Sequence, residues 1–381
     1  MARGGGMPAS LKPLAAPPRI LLTSDAVGGV WTHALDLTRG LAARGLAVTL
    51  AVLGPRPTPA QAAMAEAIPG ARLRLTDLPL DWTGADAATL LEAGRTLAAL
   101  AAEEQAELVH LNSPTLAAGG AFTMPLLVGC HSCVASWWDA MRGTPLPPDL
   151  AWQRDMVAAG YRAAGALVAP SAAFAQVTAR LYGLPQPPRV VHNGRRAEPV
   201  PPAPRRDGIL AAGRLWDEAK NIVLLDRIAP YLDGPIQVAG PLAAPGGRQT
   251  ALSNLRHLGL LSAAGMAEAF ARAGIFVSPA RYEPFGLTVL EAAQSGCALL
   301  LADIPSFREI WGEAAEYAVP EDEAGFLHGL RRLAADPTLR ARRGAEAQAR
   351  AARYSEAAMA DGMLALYRDM LPHRIRLEAA A

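Results

Sequence analysis

Short apolar runs that read as buried strands alternate with amphipathic helical patterns along most of the chain. The first run, Arg19–Thr23, leads through a glycine-containing loop into a helix with Val30, Ala34, Leu37 and Leu41 on one face. Strands that alternate with helices form βαβ units, in which helices cover both faces of a parallel sheet. The alternation therefore predicts an α/β fold with doubly wound parallel sheets.

A proline-rich segment interrupts this alternation. Residues 197–206 read A-E-P-V-P-P-A-P-R-R, and four prolines in ten residues make a stiff linker. The strand and helix pattern begins again at Ile209–Ala212. A length of 381 residues also suits two domains. We predict one domain over residues 19–196 and a second over residues 207–353, with a disordered tail at residues 1–18.

Composition argues against several classes of protein. A net charge of +1 gives no support for nucleic-acid binding, and no apolar run approaches the ~20 residues of a membrane-spanning helix. Residues 1–18 lack the apolar stretch of a signal peptide, and three cysteines do not make a disulfide framework, so we expect a cytoplasmic protein. The late arginines are expected to form a solvated face, with peripheral contact to anionic lipid of the inner membrane as the alternative: Arg331, Arg332, Arg340, Arg342 and Arg343.

The most informative stretch is Ile275–Gly296. An apolar strand is followed by a loop and by the helical pattern Leu287–Gln294, which Gly296 closes. Gly286 stands at the start of this helix, where free backbone N–H groups and the helix dipole favour an anion. The sequence therefore predicts a phosphate site at this turn.

Two carboxylates flank that phosphate site. Glu283 precedes the helix and Glu291 lies on it, so both could accept hydrogen bonds from hydroxyl groups. A sugar nucleotide would fit, with phosphates at the backbone amides, the sugar on one glutamate and the ribose on the other. The alternative is an ordinary βα unit with two solvated glutamates, because isolated motifs match by chance.

Arg214 and Lys220 lie in the loop after the first strand of the second domain. A guanidinium and an ammonium together neutralise a diphosphate without a metal; an ion pair with Asp217 or Glu218 is the alternative. The chain has no Asp-x-Asp pair of the kind that suits a metal-bridged diphosphate. We therefore expect no metal and no cofactor, with charge neutralised by Arg, Lys and helix N-termini.

Glycine and histidine mark two more loops, both after strands of the first domain. Gly28 and Gly29 follow the first strand, where they allow either a tight turn or close approach of a ligand to the backbone. His131 follows the strand Leu126–Cys130 and suits either contact with a substrate hydroxyl or a structural role. Cys130 and Cys133 form a C-x-x-C motif, which lacks the further ligands of a zinc site.

With these motifs in this order, the chain resembles the retaining glycosyltransferases of family 4, which have the GT-B architecture of two Rossmann-like domains. The resemblance runs from Arg19 to about Met370. It rests on the G-G loop, His131, A-P-S at Ala169–Ser171, H-N-G at His192–Gly194, G-R-L at Gly213–Leu215 with Lys220, V-A-G at Val238–Gly240 and E-P-F-G-L-T-V-L-E at Glu283–Glu291.

The resemblance implies two substrates, a UDP-, GDP- or ADP-sugar donor and a hydroxyl acceptor. His131 would contact the donor sugar, and Arg214 and Lys220 would bind the diphosphate. Glu283 would hold hydroxyls of the sugar, and Glu291 those of the ribose. Backbone near the sugar and phosphates would come from Gly28, Gly29, Phe285, Gly286 and Leu287.

The resemblance also implies an architecture and a mechanism. The two Rossmann-like domains would face each other across a cleft, the first on the acceptor side and the second binding the nucleotide sugar. Residues 354–372 would form a helix that crosses back to the first domain. The acceptor hydroxyl would attack from the face that the nucleotide leaves, with retention of configuration, and the leaving diphosphate would take its proton.

Two departures from the family pattern stand out. Arg195-Arg196 replaces the Val-Asp that often follows Asn-Gly, and Asn112 stands where many members have a second histidine. Three other functions fit the same motifs: a sugar-nucleotide epimerase, a phosphorylase-type enzyme, and a catalytically silent sugar-nucleotide-binding protein. The product would be a polysaccharide, a lipid-linked glycan or a small glycoside.

Overall fold

The computed structural model describes residues 16–82, 85–199, 201, 206–244, 247 and 249–373. The first domain is built on a seven-stranded parallel sheet in the order β3-β2-β1-β4-β5-β6-β7. Its strands are β1 (Arg19–Asp25), β2 (Ala47–Leu53), β3 (Ala71–Leu75), β4 (Leu108–Leu111), β5 (Leu126–Gly129), β6 (Ala166–Ala169) and β7 (Arg189–Val190). Its helices are α1 (Gly29–Ala42), α2 (Pro59–Glu66), α3 (Ala87–Glu103), α4 (Val134–Arg142), α5 (Ala151–Ala163) and α6 (Ala172–Tyr182).

The second domain is built on a six-stranded parallel sheet in the order β10-β9-β8-β11-β12-β13. Its strands are β8 (Gly208–Ala212), β9 (Ile236–Ala239), β10 (Arg256–His257), β11 (Ala273–Ser278), β12 (Ala298–Ala302) and β13 (Glu316–Ala318). The helices that follow β8 are α7 (Ile222–Ile228), α8 (Ala263–Arg272), α9 (Leu287–Gln294), α10 (Pro305–Trp311), α11 (Glu323–Ala335), α12 (Pro337–Ala351) and α13 (Glu356–Met370). The prediction of two doubly wound α/β domains is confirmed.

The central strands of both sheets are buried on their two faces, as parallel sheets require. Strands β11 and β12 consist almost wholly of buried apolar residues, and Phe276 and Leu299 lie in the core of the second domain. The strand order of each sheet reverses direction once, between β1 and β4 in the first and between β8 and β11 in the second. In open α/β sheets, ligands bind beyond the carboxyl ends of the strands at such switch points.

Helix α13 leaves the second domain and packs against α1 of the first. Gly40 of α1 permits the contact, because a Cβ there would lie 2.6 Å from the Cβ of Ala360. Met363 and Tyr367 are buried in the apolar core of the first domain, and Arg44 Nε bonds Asp361 Oδ1 at 2.7 Å. The chain therefore contributes its last described helix to the first domain's core.

The predicted elements match the structure best where they are long and apolar. Helices α2, α4 and α10 and strand β13 were not predicted from the pattern; α2 buries only Ala65, and β13 has three residues. The apolar pattern of Asn221–Leu232 predicts a single helix, but the helix ends at Ile228 and continues as a 3-10 turn that contains Pro230. Most of the predicted tail and linker, residues 1–15, 200 and 202–205, lies outside the described residues.

Within the described ranges, no helix is both long and apolar enough to cross a membrane. The late arginines contact protein groups instead of standing alone: Arg332 and Arg343 pair with Glu316, Arg342 with Glu346, Arg331 donates to the carbonyl of Tyr231, and Arg340 to that of Leu333.

Candidate active site

Two helix N-termini face each other where the domains meet. Gly28 precedes α1 with φ of +100° and Gly286 precedes α9 with φ of +92°, a backbone conformation that favours glycine. Neither N-terminus is capped by its own side chain. A Cβ on Gly29 would lie 3.6 Å from Leu287 Cδ1, so the two turns are in contact. Because each turn presents backbone N–H groups and the positive end of a helix dipole, the pair suits a phosphate-containing ligand.

Two more of the residues predicted to bind the donor lie at the switch point of the second sheet. Lys220 follows β8 and Glu283 follows β11, and Lys220 Nζ lies 2.5 Å from Glu283 Oε2. Their side chains are 21% and 18% exposed, so a ligand in the cleft could reach both. Ser306 Oγ donates to the backbone carbonyl of Glu283 at 2.5 Å, which fixes the loop that carries the glutamate.

Arg214 lies in the loop after β8, as Lys220 does. It is more accessible than Lys220, with 46% of its side chain exposed. Its Nη2 donates to Asp217 Oδ2 at 3.0 Å, one of the two ion pairs that the sequence offered as an alternative. Burial raises the pKa of Asp217, but Arg214 and Lys220 together hold it below its ordinary value. Asp217 is therefore a buried anion beside two cations.

Glu291 lies one helical turn into α9 and pairs with Arg195, whose Nε is 2.9 Å from Glu291 Oε1. The same guanidinium also pairs with Asp36 of α1. Burial raises the pKa of Glu291, and the arginine opposes that rise without cancelling it. The residue that departs from the family pattern thus holds the glutamate predicted to bind ribose, and it bridges the two domains.

His131 follows β5 and is held by a chain of polar contacts that begins on β1. Asn112 Nδ2 donates to the carbonyl of Thr23 at 2.7 Å, so Asn112 Oδ1 is free to accept from His131 Nε2, also at 2.7 Å. Burial, together with the nearby His33, lowers the pKa of His131 to about 3, so the imidazole is neutral. The hydrogen-bond pattern assigns the proton to Nε2 and leaves Nδ1 as an acceptor.

Neighbours of His131 and Glu283 meet across the domain boundary. Tyr282 OH donates to Ser132 Oγ at 3.0 Å, which brings the loops after β5 and β11 together. Ser171 Oγ, also of the first domain, donates to the carbonyl of Pro284 in the same loop at 2.8 Å, and Phe285 is buried against Tyr354. The Phe285 ring therefore anchors the loop that carries Glu283, and the role of its backbone at the donor stays a prediction.

The two cysteines of the C-x-x-C motif make structural contacts. Cys133 caps α4 and its Sγ lies 2.9 Å from the hydroxyl of Tyr182, while burial raises the pKa of Cys130 to about 12. All three cysteines of the chain are free thiols. Among the described residues, no group of three or more His, Cys, Asp or Glu side chains is arranged to hold a metal.

Two carboxylates beside the switch point of the first sheet were not predicted from the sequence. Asp25 ends β1 and accepts from the backbone N–H of Val27 at 2.7 Å; burial raises its pKa to about 6, against the opposing field of Arg214. Asp81 accepts from Thr115 Oγ1 at 3.4 Å, and burial raises its pKa as well. The position of Asp25 directly after a buried strand was the available signal for it.

Two family models match successive parts of the chain. The model described as Glycosyltransferase Family 4 matches residues 27–198, and the model described as Glycosyl transferases group 1 matches residues 206–336. A glycogen synthase of Mycobacterium tuberculosis is 38% identical over 81 residues, which is 21% of this chain and 20% of that relative. The chain thus spans about a fifth of the length of the curated relative that it matches.

Solved structures show the same fold over nearly the whole chain. A sucrose-phosphate synthase from Thermosynechococcus elongatus superposes with a TM-score of 0.73 at 19% identity, covering 93% of this chain and 99% of its own. HepE of Anabaena, solved in complex with UDP-glucose, gives a TM-score of 0.71 at 15% identity, covering 92% of this chain and 99% of its own.

The fold and the facing helix starts define a GT-B protein, with two Rossmann-like domains across a cleft. With both family models matched in order, the chain belongs to the group 1 glycosyltransferases, in the family 4 branch.

Proposed function

We propose that the protein is a retaining glycosyltransferase that moves a sugar from a nucleoside-diphosphate sugar to a hydroxyl acceptor. The observation that carries this proposal is the meeting of the α1 and α9 N-termini beside Lys220 and Arg214. Backbone N–H groups, helix dipoles and two cations surround one part of the cleft, and a diphosphate is the group that such a surrounding stabilises best.

Stabilisation of the leaving nucleotide is the main contribution that these groups make. Negative charge grows on the diphosphate as the glycosidic bond breaks, and fixed donors aimed at that charge lower the barrier. Lys220 and Arg214 supply cations for this without a metal, and Glu283 accepts hydrogen bonds from hydroxyls of the sugar. The neutral His131 presents Nδ1 as an acceptor to a further sugar hydroxyl.

Retention follows from where the attack occurs. The acceptor hydroxyl attacks the anomeric carbon on the face from which the diphosphate departs, and a phosphate oxygen takes its proton. The new carbon–oxygen bond replaces the bond to the phosphate oxygen, so the sugar leaves one oxygen and joins another. A double displacement would need a carboxylate nucleophile; a trapped glycosyl-enzyme would therefore contradict this mechanism.

The acceptor belongs in the first domain, at the switch point between β1 and β4. Asp25, Asp81 and Ser113 lie at this position, the last two in contact with the buried Thr115, and Arg214 acts electrostatically on Asp25 from the second domain. Carboxylates and hydroxyls that surround a crevice suit an uncharged hydroxyl acceptor, such as a glycan or a small glycoside, better than an anion. The free thiols suit the cytoplasm that we propose as its location.

The test is a donor screen with UDP-glucose, GDP-mannose and ADP-glucose. We expect one of them to bind and to be hydrolysed slowly in the absence of acceptor, with the sugar released or transferred in the donor's anomeric configuration. Nuclear magnetic resonance of the first product distinguishes retention from inversion. If none of the three donors binds or reacts, or if the product is inverted, the proposal is wrong.

A further inference from the structure

Helix α4 of the first domain lies against the phosphate-binding loop of the second domain, residues 213–221. Trp137 Nε1 donates to Asp217 Oδ1 at 3.1 Å. Arg142, at the end of α4, makes a bidentate ion pair with Glu218, at 2.9 and 2.7 Å. Ser136 Oγ lies 2.8 Å from the hydroxyl of Tyr282, beside Glu283. One short helix thus contacts the loops after both β8 and β11.

Asp217 is the point at which these contacts reach the predicted chemistry. It is 6% exposed, and each of its two carboxylate oxygens accepts hydrogen bonds from different groups. Oδ1 accepts from Trp137 Nε1 and from the backbone N–H of Ala219, whereas Oδ2 accepts from Arg214 Nη2. A buried carboxylate that accepts two hydrogen bonds on one oxygen has a fixed orientation. It therefore also restrains the orientation of the guanidinium that binds its other oxygen.

We propose that Asp217 is a positioning residue for Arg214, and that Trp137 makes this positioning depend on contact between the two domains. The proposal rests on the function proposed above, because it assigns Arg214 to the leaving diphosphate. When the domains are in contact, the indole N–H donates to Asp217. Asp217 then holds Arg214 in the orientation that contacts the diphosphate. When they part, Asp217 loses one of the three donors that its carboxylate has in this structure.

The surrounding of Trp137 supports a fixed indole. The guanidinium carbon of Arg142 lies 4.9 Å from the centre of the Trp137 ring while its nitrogens bind Glu218. A cation held over the ring restrains the indole in the orientation that reaches Asp217. The adjacent Trp138 differs, since its Nε1 donates to Thr144 Oγ1 at 3.3 Å within the first domain.

The experiment compares Trp137→Phe with Trp138→Phe in the full-length protein, using whichever of UDP-glucose, GDP-mannose and ADP-glucose the wild type turns over. Phenylalanine keeps an aromatic ring in contact with Arg142 but cannot donate to Asp217. We expect Trp137→Phe to lower kcat at least tenfold and to change the donor Kd by less than threefold, because Arg214 acts mainly on charge that develops during the reaction. Trp138→Phe should retain at least half of the wild-type kcat.

A double-mutant cycle with Asp217→Asn separates this coupling from simple loss of packing. If Trp137 acts through Asp217, adding Trp137→Phe to Asp217→Asn should lower kcat by less than twofold further. Should Asp217→Asn fail to fold, the two tryptophan variants alone decide the question. Equal kcat in Trp137→Phe and wild type overturns the proposal, as do effects in the double variant that multiply fully.

Failure of the proposed function and failure of the positioning role give different results. A wild-type protein that turns over none of the three donors contradicts the proposed function and this inference with it. A wild type that turns over a donor, but whose Trp137→Phe variant matches it, contradicts only the positioning role.

Discussion

Lys220 Nζ and Glu283 Oε2 are 2.5 Å apart, although one comes from the loop after β8 and the other from the loop after β11. These side chains are the cation predicted to bind phosphate and the carboxylate predicted to bind sugar. Each holds the other at the switch point of the second sheet, where a donor would lie. A bound nucleotide sugar would place its diphosphate near the lysine and its hydroxyls near the glutamate.

Replacing Lys220 tests the assignment to the leaving group. Lys220→Ala should lower kcat by about 10²- to 10³-fold, the usual cost of removing one donor that stabilises developing charge. The donor Kd should rise much less, because the charge on the phosphate oxygens grows during the reaction. Steady-state kinetics combined with equilibrium binding of the donor measures both quantities. Lys220→Arg keeps the charge and should recover part of kcat; a Lys220→Ala variant with full activity would show that the lysine is not used.

Replacing Arg195 tests the ion pairs that join the domains. Arg195→Met leaves Glu291 in its partly buried position without its cation, and we expect the free energy of unfolding to fall by about 3–5 kcal/mol. The loss should shrink as the pH falls, because burial raises the pKa of Glu291 and the unpaired carboxyl can take up a proton. Chemical denaturation at several pH values measures this. Arg196→Met is the matched control, since Arg196 is exposed and should have little effect; equal stability of the two variants would contradict the prediction.

Asp25 makes stability depend on pH in a predictable direction. Its pKa is raised from 3.8 to about 6 in the folded protein by burial, with Asp81 adding to the rise and Arg214 opposing it. The native state therefore binds more protons than the unfolded state between these values, so stability falls as the pH rises through about 6. Relative to Asp25→Asn, the wild type should lose up to about 3 kcal/mol between pH 4 and pH 7.

Denaturation of wild type and Asp25→Asn across this range measures the difference directly. Groups common to both proteins cancel in the comparison. A difference that stays constant from pH 4 to pH 7 would show that Asp25 titrates normally.

Gly194 allows the start of α13 to approach the first domain closely. A Cβ at this position would lie 2.0 Å from the backbone oxygen of Ser355, so one of the two segments would have to move. We expect Gly194→Ala to cost at least about 3 kcal/mol of stability, near the upper end of overpacking penalties. Gly234→Ala is the matched control, because a Cβ there meets no atom within 4 Å. Thermal unfolding of both variants decides this, and similar melting temperatures would contradict it.

The stretch around α9 could be predicted closely because its signals are local. The sequence predicted the helix Leu287–Gln294, and the structure gives these bounds. Gly296 closes the helix with φ of +77°, a conformation that glycine adopts readily. The continuous apolar pattern of β11 also follows directly from burial of the strand on both faces.

Contacts between the domains could not be predicted in this way. Trp137 and Asp217 are 80 positions apart, and Arg195 and Asp36 are 159 apart. Periodicity and capping report on neighbours within a few residues, so they cannot indicate which charge meets which across a cleft. Helix α4 was missed for a related reason, because it is short and contacts the other domain through Ser136, Trp137 and Arg142.

The course of α13 also bears on how the protein is made. Tyr367 and Met363 complete the apolar core of the first domain, and Arg44 bonds Asp361 across a separation of 317 residues. Because a chain emerges from the ribosome in order, the first domain must wait for the second to be synthesised before its core is complete. Until then α1 has no partner on the face that α13 covers, so nascent chains that stop near residue 353 should be the form most dependent on chaperones.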